Sequence, residues 1–354
     1  MDTLIGILTQ DFLGKAVWLW LMFMGIVAAL LAFDLGVLHK DDHVIEAKES
    51  LWLSAGYIGM GLAFGGWVWW YLGDVSGMQY LTGFLIEKTL AMDNVFVIAM
   101  LFAFFAVPLQ YQHRVLFWGV LGVIVLRAMM IGLGTALVTQ FSWVLYLFGA
   151  FLVLTGVKML VMVNQHFDIA NNGVLRWLRA HLRVTDAPHG NRFWVKLPAP
   201  DAKGGPPTTR PGAPLVWWAT PLFLALALIE FVDLIFAVDS VPAIFAITQD
   251  PFIVYTSNIF AILGLRALYF ALAAMIERFK YLKYALAVVL IFIGGKIFAV
   301  NIFGKMPAWI SLSVTIGVLA VGVLYSLYRT RNPGAGGAAG SSTGASTTAA
   351  ETRR

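Results

Sequence analysis

Long apolar runs alternate with short polar loops along this chain, and nine of the runs are about 20 residues or longer. That is the length an α-helix needs to cross a hydrocarbon core of roughly 30 Å. The runs predict spans over residues 16–38, 51–72, 80–107, 115–138, 142–163, 216–247, 253–276, 282–303 and 308–328. The first is too long for a secretory leader, has no basic cluster before it and ends in Asp34, so it is expected to remain as a span. The fold class that follows is an all-α membrane protein of about nine transmembrane helices.

Composition agrees, with 60% hydrophobic and 12% charged residues against about a quarter charged in soluble proteins. There is no Cys, which excludes disulfides, thiolate metal sites and cysteine nucleophiles. The net charge of +5 is not a nucleic-acid signal, because Lys and Arg gather in alternate loops: Lys40 and Lys48, then Arg114, then Arg176 to Arg210, then Arg278, Lys280 and Lys283. Lys15 and Lys305 are the clear exceptions. The positive-inside rule then puts the N-terminus outside and the C-terminus, with Arg329 and Arg331, in the cytoplasm of a cell bounded by a bacterial inner membrane.

An acidic motif occurs twice: EKTLAMDN at Glu87 to Asn94 and DLIFAVDS at Asp233 to Ser240. Aligning Asp93 with Asp239 sets Glu87 opposite Asp233. Each copy is followed by Leu-Arg-Ala, with Arg127 and Arg266, and then by a Lys, with Lys158 opposite Lys296. Spans three to five therefore resemble spans six to eight, and an odd number of spans per unit makes the two units an inverted repeat, a plan typical of secondary transporters. The expected organisation is an extracytoplasmic segment 1–15, two helices in 16–79, one three-helix unit in 80–163, a cytoplasmic loop in 164–215, the second unit in 216–303, a last helix at 308–328 and a disordered tail over 329–354. Within the loop, VLRWLRAHLRV at Val174 to Val184 predicts an interfacial helix, and Pro198 to Pro214 an irregular linker.

Spans one, three and six carry Asp34, Glu87, Asp93, Glu230, Asp233 and Asp239, and each acid in a spanning helix costs roughly 2.5–3.5 kcal/mol. Arg127 and Arg266 lie near the middle of spans, and Lys88, Lys158 and Lys296 are also within spans, the last two near enough to the ends to snorkel, so pairing of six acids with the two central Arg leaves carboxylates over. That surplus favours a cation or proton path. Asp93 with Asn94, Asp239 with Ser240, and Glu87, Glu230 and Asp233 offer oxygen ligands, suited to Mn, Mg or Ca rather than copper or zinc. Asp34 is a weaker addition, and Arg127 and Arg266 would balance the charge of an empty site. His39, Asp41, Asp42 and His43 read as a solvated loop. On a regular helix six residues turn about 240°, so the two acids of one copy do not share a face. Convergence would need an interruption, and Pro242 is placed to supply it.

The strings EKTLAMDNVFV at Glu87 to Val97, ATPLFLALALIEFVDLIFAVDSVPAIFAIT at Ala219 to Thr248 and YTSNIFAILGLRALYF at Tyr255 to Phe270 resemble the TerC family of integral membrane proteins, including its Alx branch. The resemblance covers about residues 15–325. It implies manganese export and metal homeostasis, an association with tellurite resistance, and as partners secreted metalloproteins or the secretion machinery that handles them. The expectation is a transporter exporting Mn²⁺ or a similar divalent ion, with that ion as cargo, no resident cofactor, the lipid bilayer as its surroundings, no nucleic-acid partner and exchange with protons open. The alternative is a non-transporting scaffold of a metal or tellurite stress complex. An enzyme is not expected, since HExxH, paired intramembrane His and a Cys nucleophile are all missing.

Overall fold

The computed structural model describes residue 6 and residues 8–36, 47–161, 172–200, 207–208, 213–273, 281–304 and 306–331. The expectations for His39 to His43, for much of the 164–215 loop and for the tail beyond Arg331 lie outside the described residues, as does the side chain of Asp93. The helices are α1 (Val17–Gly36), α2 (Ala47–Leu72), α3 (Asp74–Phe104), α4 (Leu109–Gln140), α5 (Val144–Val161), α6 (Gly173–His181), α7 (Pro221–Phe245), α8 (Pro251–Leu263), α9 (Leu265–Ala273), α10 (Leu282–Phe303) and α11 (Ala308–Arg331). Two antiparallel ribbons accompany them: β1 (Asp11–Phe12) with β2 (Lys15–Ala16), and β3 (Trp194–Pro198) with β4 (Leu215–Ala219).

Counting α8 and α9 as one run over Pro251–Ala271, eight helices among the described residues are long and apolar enough to cross a membrane. At 31 residues α3 also has the length, but it carries Glu87, Lys88 and Asp93 in the middle of its sequence. It packs along α2, α7, α8 and α11 at the centre of the bundle. The outside of the bundle is apolar, with Trp70, Val125, Leu133, Leu154, Val321 and Leu324 exposed, as contact with hydrocarbon requires.

Local sequence sets the helix starts. Asp250 accepts hydrogen bonds from the Phe252 and Ile253 amides, and Pro251 follows at the first helical position. Asn172 does the same for α6 through the Val174 and Leu175 amides. Gly304, with φ of 78°, ends α10 in a conformation that suits glycine.

Three expectations change. First, α7 passes through Pro242 and ends at Phe245, so it is unbroken at the acidic motif. Pro242 removes the one hydrogen bond its own N–H would give to the Val238 carbonyl, and the helix continues three residues beyond it. The interruption lies instead in the seventh span, where Gly264 separates α8 from α9. Second, Trp217 and Trp218 belong to β4 and not to the start of span six; Trp218 is buried and Trp217 receives Lys196 on its face at 4.9 Å. Third, α6 turns Leu175 and Leu178 into the same core as Leu116 and Leu222, so its apolar stripe packs on protein.

Glycines set the closest helix contacts. In α2, Gly61 faces Phe84 and Gly65 faces Tyr80, while Gly59 and Gly66 point into open space. The helices α5 and α10 run antiparallel: a Cβ on Gly149 would lie 3.1 Å from the Gly294 carbonyl oxygen, and one on Gly156 2.8 Å from that of Ala287. Under the alignment of Lys158 with Lys296, these two contacts exchange with each other.

Candidate functional site

At the centre of the bundle α3, α4, α7 and α8 bring six polar side chains together. Arg127 of α4, Glu87 and Asn94 of α3, Asp233 and Ser240 of α7, and Asn258 of α8 are each between 1% and 7% exposed. Seven residues separate Glu87 from Asn94 and Asp233 from Ser240, about 20° short of two full turns. Each acid therefore shares one helix face with the small polar residue that ends its motif. These are equivalent positions in the two copies, which reach the centre from different helices.

Arg127 organises the cluster. Its Nη1 lies 2.7 Å from Glu87 Oε1 and donates to Ser240 Oγ at 2.6 Å and Asn258 Oδ1 at 3.2 Å. Its Nε and Nη2 donate to the two oxygens of Asp233 at 3.4 and 3.5 Å, a fork matched to a carboxylate. Asn258 Nδ2 donates to Glu87 Oε2 at 3.0 Å, and Asn94 Nδ2 to Asp233 Oδ1 at 3.5 Å. Counted as ionised, two carboxylates against one guanidinium leave the group with one more negative than positive charge. Beside it lies a cavity of about 20 Å³, lined by Asn94, Gly119, Val120, Val123, Asp233 and their apolar neighbours. That is room for about one water.

The other acids stand elsewhere. Asp239 is half-buried between α7 and α5, accepting from Thr155 Oγ1 at 3.2 Å one turn from Lys158. Glu230 lies on α7 one turn before Asp233, against Gly122, with its Oε2 buried and without a hydrogen-bond partner. Asp34 pairs with Arg266, linking α1 to α9, and Tyr57 joins them from α2. Arg266 therefore compensates Asp34 and is not at the centre. Lys88 turns away from Glu87 and donates to the Ala261 carbonyl at 3.0 Å, where the end of α8 concentrates negative dipole.

Among the described residues, no three His, Cys, Asp or Glu side chains form a group that could hold a metal ion. The oxygens at the centre are spread over two acids, a hydroxyl and amides, and a guanidinium stands among them. Asn258 was not singled out from the sequence, although an Asn within the apolar run TSNIFAIL carries the same cost signal as the acids. The seven-residue spacing was also legible, but it is hidden when the motif is read from acid to acid.

Residues 72–333 match the family described as "Integral membrane protein TerC family". An uncharacterized membrane protein of Rickettsia bellii (strain RML369-C) is 47% identical over 314 residues, covering 88% of this chain and 97% of its own length. A membrane protein of Myxococcus xanthus is 45% identical over 314 residues, covering 89% and 93%. In Escherichia coli (strain K12), Alx, described as a candidate membrane-bound redox modulator, is 47% identical over 312 residues, covering 86% and 92%. No solved structure matches. A match over most of the chain that contains the bundle centre, together with relatives sharing nearly half their residues, makes this chain a member of the TerC family of integral membrane proteins.

Proposed function

We propose that the protein exports a divalent cation, Mn²⁺ or a close chemical equivalent, with Glu87 and Asp233 as its charged ligands. The observation that carries this reading is the meeting of these equivalent acids, one from each copy of the motif, deep in the bundle around a single guanidinium. Purely structural pairing would need one acid per base, and the second acid adds a buried charge at a cost of several kcal/mol. The donors are all oxygen, which suits Mn²⁺. Equivalent acids at the centre and the exchanging contacts of α5 with α10 support an inverted repeat with its site where the two units meet.

The basic loops support an N-terminus outside and a C-terminus in the cytoplasm. Carboxylates that release a metal can take up protons, so exchange with protons is the natural form of coupling. The relatives named as redox modulators fit the same picture: with no Cys in this chain, thiol exchange is not available to it, and an effect on redox state would run through metal supply. In cells loaded with Mn²⁺, expression of the wild type should lower intracellular Mn, and Glu87→Gln or Asp233→Asn at equal abundance should leave it at the level of the empty vector. Lowering by either variant to the wild-type level would overturn the site assignment.

A further inference from the structure

Every oxygen that the Arg127 guanidinium bonds is one that a hard cation would use. The guanidinium fills the point on which Glu87 of α3, Asp233 and Ser240 of α7 and Asn258 of α8 converge. Building on the transport reading above, we propose that Arg127 is a tethered competitor of the transported cation: its guanidinium holds the site in this state, and the divalent ion binds by taking over the same oxygens, with Asn258 Oδ1 as a neutral ligand beside Ser240 Oγ.

Three observations lead there. The acceptors are almost completely buried, with Asn258 1%, Ser240 2%, Glu87 4% and Asp233 6% exposed. If the guanidinium left and nothing replaced it, the two carboxylates would keep only the amide donors Asn94 and Asn258 and would lose their counter-charge, so its departure and the arrival of a cation belong to one exchange. Charge points the same way: a divalent ion in place of the guanidinium neutralises the two carboxylates, whereas a monovalent ion leaves the surplus negative charge in place. Space is available as well, because Val123 and Val120, one and two turns before Arg127 on the same face of α4, line the cavity that touches Asp233 and Asn94. An ion held in that cavity would touch Asp233 before the guanidinium yields. Arginine stays charged throughout, so the exchange is a movement and not a deprotonation. By linkage the ion and the guanidinium each weaken the hold of the other, which lets Arg127 drive release.

The test measures Mn²⁺ binding to detergent-purified protein by the loss of the free-ion paramagnetic resonance signal, and Mn²⁺ flux in liposomes. Arg127→Gln should bind at least about tenfold more tightly than the wild type and turn over at least about tenfold more slowly, since nothing displaces the bound ion. Asn258→Leu, which keeps the volume and removes the oxygen, should bind about tenfold more weakly. Arg127→Gln with wild-type or weaker affinity and a wild-type melting temperature overturns the proposal. If Arg127→Gln does not fold, Arg127→Lys decides: it keeps one charge but cannot reach all the oxygens, so tighter binding supports competition and unchanged or weaker binding overturns it. Unchanged affinity in Asn258→Leu removes Asn258 from the ligand set and overturns that part of the proposal. A wild type that neither binds nor moves Mn²⁺, Mg²⁺ or Ca²⁺ overturns the transport reading and this proposal with it, whereas a wild type that moves Mn²⁺ with an unaltered Arg127→Gln overturns only the competition.

Discussion

Charge inside the bundle divides between two kinds of residue. Asp34 and Arg266 form a pair between α1 and α9 with Tyr57 beside it, with partners other than those of the central group. Removing one partner of such a pair strands a buried charge, at about 3–5 kcal/mol, while replacing both by apolar side chains of similar size is often nearly neutral. Arg266→Met should therefore lower the melting temperature strongly, and Asp34→Leu with Arg266→Met should recover most of the loss and keep Mn²⁺ flux. A double variant that is stable but inactive would show instead that Asp34 belongs to the ion path. The sequence made the acids conspicuous through their cost, but it could not sort them by direction. Asp239 and Ser240 are neighbours in the chain, yet Ser240 meets Arg127 while Asp239 meets Thr155, because one residue on a helix turns the side chain by about 100°. The alignment of the motif pairs Asp93 with Asp239, and of the described acids the helix face brings Glu87 and Asp233 to Arg127 and turns Asp239 toward Thr155.

Among the elements, the spans were legible because a run of apolar residues long enough to cross a bilayer admits few other structures in lipid. Their ends were less so. Leu215–Ala219 is apolar enough to extend span six on paper, but it pairs with Trp194–Pro198 as a ribbon, a non-local partner that composition does not reveal. For α6 the period of the leucines was plain, yet whether they meet lipid or protein depends on how the spans assemble. Proline breaks helices, so the sequence points to an interruption at Pro242, but losing the one hydrogen bond to the Val238 carbonyl does not end the helix before Phe245, and the break falls at Gly264. The contact of α5 with α10 depends on glycine: at Gly156 an added Cβ would lie 2.6 Å from the Ile291 side chain and 2.8 Å from the Ala287 carbonyl oxygen. Gly156→Val should destabilise the protein by about 1–3 kcal/mol, as overpacking does, and Gly132→Val, with nothing within 4 Å, should leave packing unchanged. Thermal unfolding of the two in the same detergent separates them; equal melting temperatures would contradict the close contact.

For the whole molecule, the two copies of the motif behave as equivalent parts put to unequal use. Glu87 and Asp233 meet at one guanidinium, but of the two matching arginines only Arg127 is there, and Arg266 is held by Asp34 of α1, a helix outside the repeat. The central claim is that this site moves a divalent cation, and the most direct measurement is Mn²⁺ entry into liposomes holding purified protein, followed with an internal indicator, for the wild type and for Glu87→Gln with Asp233→Asn. The wild type should admit Mn²⁺ well above protein-free liposomes, and the double variant, folded to the same melting temperature, should fall to the protein-free rate. Equal flux in the two proteins, or none in the wild type, would contradict it.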